Sequence, residues 1–129
     1  MKYQEIKTFY DTGQLLRHYS VGESGNKCGE FRGYYESGQL AQHSCRRAAH
    51  AKGEIKRFNR HGEVTSHYLM DGWGNRLATV NFTHSEEELI ETAKEHNLPL
   101  LSELPKTEEE VTHWNLKWPD CPCLPIESE

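Results

Sequence analysis

Tyr34-Tyr35-Glu36-Ser37-Gly38-Gln39-Leu40 is the stretch that decides the fold, because it recurs. Phe9-Tyr10-Asp11-Thr12-Gly13-Gln14-Leu15 stands 25 residues before it, counted from Gly13 to Gly38. Phe58-Asn59-Arg60-His61-Gly62-Glu63-Val64 follows at an offset of 24, from Gly38 to Gly62. In each copy a short polar segment and a glycine separate two β-prone runs, the pattern of a hairpin turn whose glycine adopts positive φ. Gly13, Gly38 and Gly62 are therefore the structural turn residues.

The repeat extends outwards from the turn. Glu5-Ile6-Lys7, Glu30-Phe31-Arg32 and Glu54-Ile55-Lys56 precede the copies at matching distances, and His18, His43 and His67 follow them. A unit of about 24 residues reads as strand, turn, strand, and such a unit buries its apolar positions only by stacking on its neighbours. Alternation puts Ile6, Thr8 and Tyr10 on one side of a strand and Lys7 and Phe9 on the other. This predicts a thin, curved sheet with aromatics lining its concave side. The three histidines are expected as a polar row on the outer face, about 10 Å apart on successive hairpins and so too distant to share one ion.

These segments resemble the MORN-type repeat, in the variant found in bacterial and phage proteins similar to the YwqK antitoxin family. The resemblance covers roughly residues 5–75. The third copy departs from it, with Asn59 and Arg60 where the second has Tyr35 and Glu36, and Glu63 in place of Gln39. The resemblance implies a non-catalytic scaffold of consecutive antiparallel hairpins that binds proteins, and in some members lipids; the antitoxin role implies neutralising a partner by contact. No catalytic residues come with it.

The second half is chemically different. Residues 1–80 carry twelve Lys/Arg against eight Asp/Glu, whereas residues 81–129 carry three against twelve, so a net charge of −5 divides into +4 and −9. Either the halves attract each other or one of them faces a partner of opposite charge. After the turn-rich Asp71-Gly72-Trp73-Gly74-Asn75, alternation at Ala78, Val80 and Phe82 predicts one further strand. Ser85 and Glu88 form a capping box for a helix bearing Leu89, Ile90 and Ala93, ending near Asn97 before Pro99. Glu86, Glu87 and Glu88 suit the positive end of its dipole. Thr107 and Glu110 open a second helix, with Val111, Trp114 and Trp118 on one stripe, placed to dock on the open end of the hairpin stack or to meet a partner.

The expected class is α+β: a tandem antiparallel β-hairpin repeat sheet capped by C-terminal helices. Residues 1–82 hold three hairpins plus one strand, 83–118 an acidic helical cap, and 119–129 a proline-rich extended tail. With 129 residues, 35% hydrophobic content and a mean hydropathy of −0.87, the core is expected to be thin. No apolar run is long enough to span a membrane and Met1-Lys2-Tyr3-Gln4-Glu5 lacks a signal's apolar stretch, which points to the cytosol. Cys28, Cys45, Cys121 and Cys123 read as reduced thiols and match no zinc spacing, so no metal and no cofactor are expected.

No nucleophile elbow, phosphate loop or H-E-x-x-H is present, so no catalytic residues are assigned. The leading expectation is a module that docks a protein partner, with Tyr10, Tyr35, Arg32, Lys56, Arg57, Trp114 and Trp118 as contact residues. The alternative is nucleic-acid binding through the basic half, led by Arg32, Lys56 and Arg57, although Glu5, Glu30 and Glu54 interrupt that footprint. A small enzyme would require a pocket between sheet and helices that gathers His, Cys or Glu. Open hairpin edges fit a dimer.

Overall fold

The computed structural model describes residues 3–22, 27–48, 52–71, 73–81, 83–117 and 124. Seven strands form one antiparallel sheet in strict chain order: β1 (Tyr3–Phe9), β2 (Leu15–Gly22), β3 (Lys27–Tyr34), β4 (Leu40–Ala48), β5 (Lys52–Phe58), β6 (Val64–Met70) and β7 (Arg76–Thr79). Two helices follow, α1 (Glu86–Glu95) and α2 (Glu108–Lys117), separated by the short 3₁₀ turn Leu101–Glu103. The fold is thus α+β, built from consecutive hairpins.

The repeated turns are geometrically alike. The amides of Tyr10, Tyr35 and Asn59 donate to the carbonyls of Gln14, Gln39 and Glu63, and Gly13, Gly38 and Gly62 return a bond to the first residue of each turn. All three glycines have φ between +84° and +94°, a conformation that side chains with a Cβ resist. Each hairpin also carries the same register shift just before its turn, which leaves Leu16, Ala41 and Thr65 without an opposite residue. The Asp71 amide likewise donates to the Asn75 carbonyl, so the β6–β7 connection closes in the same way.

Tyrosines tie one repeat to the next. The Tyr10 hydroxyl donates to the Tyr34 carbonyl at 2.8 Å, and the Tyr35 hydroxyl to the Phe58 carbonyl at 2.7 Å. Asn59 occupies the equivalent place in the third copy and instead closes its own turn, its Oδ1 accepting from His61 and Glu63 amides.

The two faces of the sheet differ in kind. One face carries the directly opposed row Ile6, Tyr19, Phe31, Ser44, Ile55, Tyr68 and Thr79. Tyr19 and Phe31 stack with ring centres 5.6 Å apart, and Arg46, Arg57 and Arg76 lie over the Phe31 and Tyr68 rings. The other face carries Glu5, Glu30 and Glu54 and lies under the C-terminal segments, as the Leu69, Ala78, Val80, Leu89, Ala93, Leu98 and Leu100 core shows.

The helices therefore lie across a face of the sheet, whereas the stripe of the second helix was expected at its open end or against a partner. Cys45, Leu69 and Ala78 give that face the apolar floor: α1 packs on β6 and β7, and Val111 of α2 joins Leu104 and Cys45 of β4. Both N-cap bonds form, with Ser85 accepting from the Glu88 amide and Thr107 from the Glu110 amide. Leu89 and Ala93 are buried as expected, but Ile90 falls on the exposed side of the α1 stripe. The last strand ends at Thr79 instead of reaching Phe82: Val80 forms an isolated bridge with His84 and Asn81 turns to φ +69°. Phe82, Trp118 and all tail residues except Leu124 lie outside the described residues.

Candidate functional site

The helix-covered face holds a three-fold repeated glutamate–histidine pair. In every hairpin the Glu sits thirteen residues before the His and diagonally across the ladder, with Lys7, Arg32 and Lys56 directly opposite His18, His43 and His67. Histidine Nε2 meets a carboxylate oxygen at 2.6 Å in the Glu5–His18 pair and 2.8 Å in Glu30–His43, and Glu54 and His67 are bonded in the same manner.

This corrects the expectation of an outer row of histidines. His18 and His67 are only 3% and 8% exposed, on the face beneath the helices. The physical reason is the diagonal carboxylate: an imidazole with a hydrogen-bond partner can be buried where an unpartnered one would be held in water. The sequence showed Glu and His at matched positions, and their constant separation was the signal that they pair.

The pairs do more than satisfy each other. The Leu101 amide donates to Glu54 Oε1 at 2.7 Å, and the Leu124 amide donates to Glu30 Oε1 at 3.1 Å. At both positions one carboxylate oxygen serves the histidine and the other captures peptide backbone from the C-terminal region. Arg32 Nε adds a bond to Glu30 Oε2 at 2.9 Å. Burial pushes the Glu30 carboxyl up, but the His43 hydrogen bond, the Arg32 and His43 charges and the Leu124 amide outweigh it, holding the group below the usual carboxylate range.

A cleft of about 350 Å³ opens between this face and the α1 region, lined among others by His43, Glu54, Lys56, His67, Leu101 and Ser102. It brings together acid and base side chains, the condition an enzymatic reading required. The geometry does not assemble them into a nucleophilic site, because Ser102 makes no hydrogen bond to His43 or His67, and both histidines are bound to carboxylates through Nε2. Among the described residues no three His, Cys, Asp or Glu side chains converge as metal ligands.

The nominated contact residues are dispersed. Arg32 and Lys56 belong to the glutamate–histidine face, whereas Arg57 lies on the aromatic face, donating from Nη1 to the Tyr68 hydroxyl at 2.7 Å. Tyr10 and Tyr35 are half-buried inter-repeat ties. Trp114 is half-buried against the Cys45, Leu104 and Val111 cluster and borders a groove of about 370 Å³ with Glu103, Glu110, His113 and Lys117. Cys45 is buried. Trp73, which periodicity gave no reason to single out, is 87% exposed at the β6–β7 turn.

The chain matches no protein-family model, no curated protein and no solved structure. No helix among the described residues is long and apolar enough to cross a membrane.

Proposed function

We propose that this chain is a non-catalytic protein-binding module of the cytosol, an antitoxin-like or phage-type inhibitor or adaptor that acts by direct contact with a protein partner. The observation that carries the reading is the double use of Glu30 and Glu54, each bound to a histidine and to a backbone amide of a distant segment. The face is chemically a holder of peptide backbone, and its acid and base groups are engaged in holding. The likeness of the hairpins to MORN-type repeats supports the same reading. Exposed Trp73 and the Trp114 groove add aromatic surface of the kind that anchors protein interfaces.

The test is a tagged pull-down from the native host or infected cells, with and without nuclease and at two salt concentrations. A single protein recovered in near-stoichiometric amount under all conditions is expected. Trp73→Ala should weaken its capture without changing the protein's melting temperature. Loss of every partner after nuclease treatment would overturn the reading.

Nucleic-acid binding is the second reading, favoured by one observation. The strand residues on the aromatic face include Arg17, Arg46, Arg57 and Arg76 and, among those described, no Asp or Glu. Against it, Phe31 and Tyr68 are buried beneath arginines instead of being open to stack on bases. It requires affinity for single strands that falls steeply with salt. The edge strands β1 and β7 offer a route to a dimer, which sedimentation across a concentration series would reveal.

A further inference from the structure

Three hairpins carry the glutamate–histidine device, and among the described residues two of the three hold a distant backbone amide of the chain. Glu54 takes the Leu101 amide and Glu30 takes the Leu124 amide. Glu5 bonds His18 through Oε1, its side chain is 38% exposed, and its second oxygen accepts no hydrogen bond among the described residues. His18, only 3% exposed, also has a buried Nδ1 without a hydrogen-bond partner. A paired, half-covered carboxylate beside an unsatisfied buried ring nitrogen is a polar site with capacity left over.

The two captured leucines indicate what such a position takes. In the sequence each stands two residues after a proline, Leu101 after Pro99 and Leu124 after Pro122, and each supplies the amide. Proline favours an extended chain and has no amide of its own to compete for the carboxylate. The residue directly opposite the glutamate grows across the series, Ser20 opposite Glu5, Cys45 opposite Glu30 and Leu69 opposite Glu54. The first position therefore has the smallest floor and the most room for a side chain brought by the ligand.

We propose that Glu5 and His18 form the third position in a row of peptide-backbone acceptors, and that it takes an extended Pro-x-Leu segment of a partner protein. This rests on the protein-binding reading and specifies where and how the partner is gripped. Equivalent positions on successive hairpins lie about 10 Å apart, so the bound segment lies beside those the chain holds itself.

The test uses the full-length ¹⁵N-labelled protein and a heptapeptide, Asn-Leu-Pro-Leu-Leu-Ser-Glu, copied from residues 97–103. Resonances of β1 and β2 around Glu5 and His18 should shift on titration. Affinity should fall about ten- to a hundredfold when Glu5→Ala removes the acceptor. Methylating the amide nitrogen of the third peptide leucine, the counterpart of Leu101, should cause a similar loss with the unaltered protein, and that arm decides the matter should the variant not fold. Absence of shifts, shifts centred on Glu30 or Glu54, or equal affinity for the Glu5→Ala protein would each overturn the proposal, as would self-association that Glu5→Ala abolishes. The pull-down separates the two levels: a partner retained by Glu5→Ala refutes this site and leaves the module reading standing, whereas a nuclease-sensitive pull-down refutes both.

Discussion

Glu54→Ala removes one side chain and orphans two buried donors. His67 loses its carboxylate partner and the Leu101 amide loses its only acceptor in the described structure. Glu54 and His67 are both buried, so water cannot take over freely. An unsatisfied buried polar group costs about 1–3 kcal/mol, which for two groups gives a loss of about 2–6 kcal/mol from a total stability on the order of 5–15 kcal/mol. Glu54→Gln keeps one oxygen for the Leu101 amide and presents its amide nitrogen to the imidazole, so its loss should stay nearer about 1–2 kcal/mol. Urea unfolding of the three proteins, followed by circular dichroism, measures the difference through the transition midpoints. Hydrogen exchange adds the local signature: the Leu101 amide should lose protection in Glu54→Ala before the β3–β4 amides do. A Glu54→Ala protein within about 0.5 kcal/mol of the original, the usual range for surface substitutions, would refute the claim that the pair fastens the C-terminal region to the sheet.

Other outcomes follow from single residues. Since folded Glu30 titrates below its unfolded value, its stabilising contribution is complete above pH ~4.3, the usual carboxylate value, and is lost as the pH falls through the folded one. Glu30→Gln should therefore flatten the acid limb of a stability-against-pH curve. Tyr35→Phe deletes the hydroxyl bond to the Phe58 carbonyl and should lower the unfolding free energy by about 0.5–1.5 kcal/mol with no change in denaturant slope. A Cβ on Gly53 would stand 1.9 Å from the Cys45 carbonyl oxygen, whereas one on Gly13 meets nothing within 4 Å. Gly53→Ala should thus unfold the β4–β5 pair or fail to yield soluble protein, while Gly13→Ala should cost only the positive-φ penalty of about 1–2 kcal/mol, as thermal melts would show.

The hairpins were legible because their information is local. Turn glycines, alternation and equal offsets repeat within each unit of about 24 residues, and both helix starts carried N-caps whose bonds form in the structure. What escaped was non-local. Nothing in the strand pattern told that Glu54 and Glu30 would meet Leu101 and Leu124, since such bonds depend on the path of a segment far away in sequence. The histidines were placed on the wrong face because polarity was read one residue at a time. A polar residue that meets a complementary one diagonally across the ladder is free to go inside. Tyr10 and Tyr35 look like exposed contact residues for the converse reason: the carbonyls they reach lie in the following hairpin.

The succession Ser20, Cys45, Leu69 opposite the repeated glutamates is a ramp of cohesion along a nearly one-dimensional stack. In such arrays stability is a sum over neighbours, and here the side chain opposite the glutamate shrinks toward β1, where, among the described residues, no captured segment bridges hairpin to helix region. Thermal opening then has a direction. A first hairpin without such a fastening is expected to open before the two that Glu30 and Glu54 tie to Leu124 and Leu101.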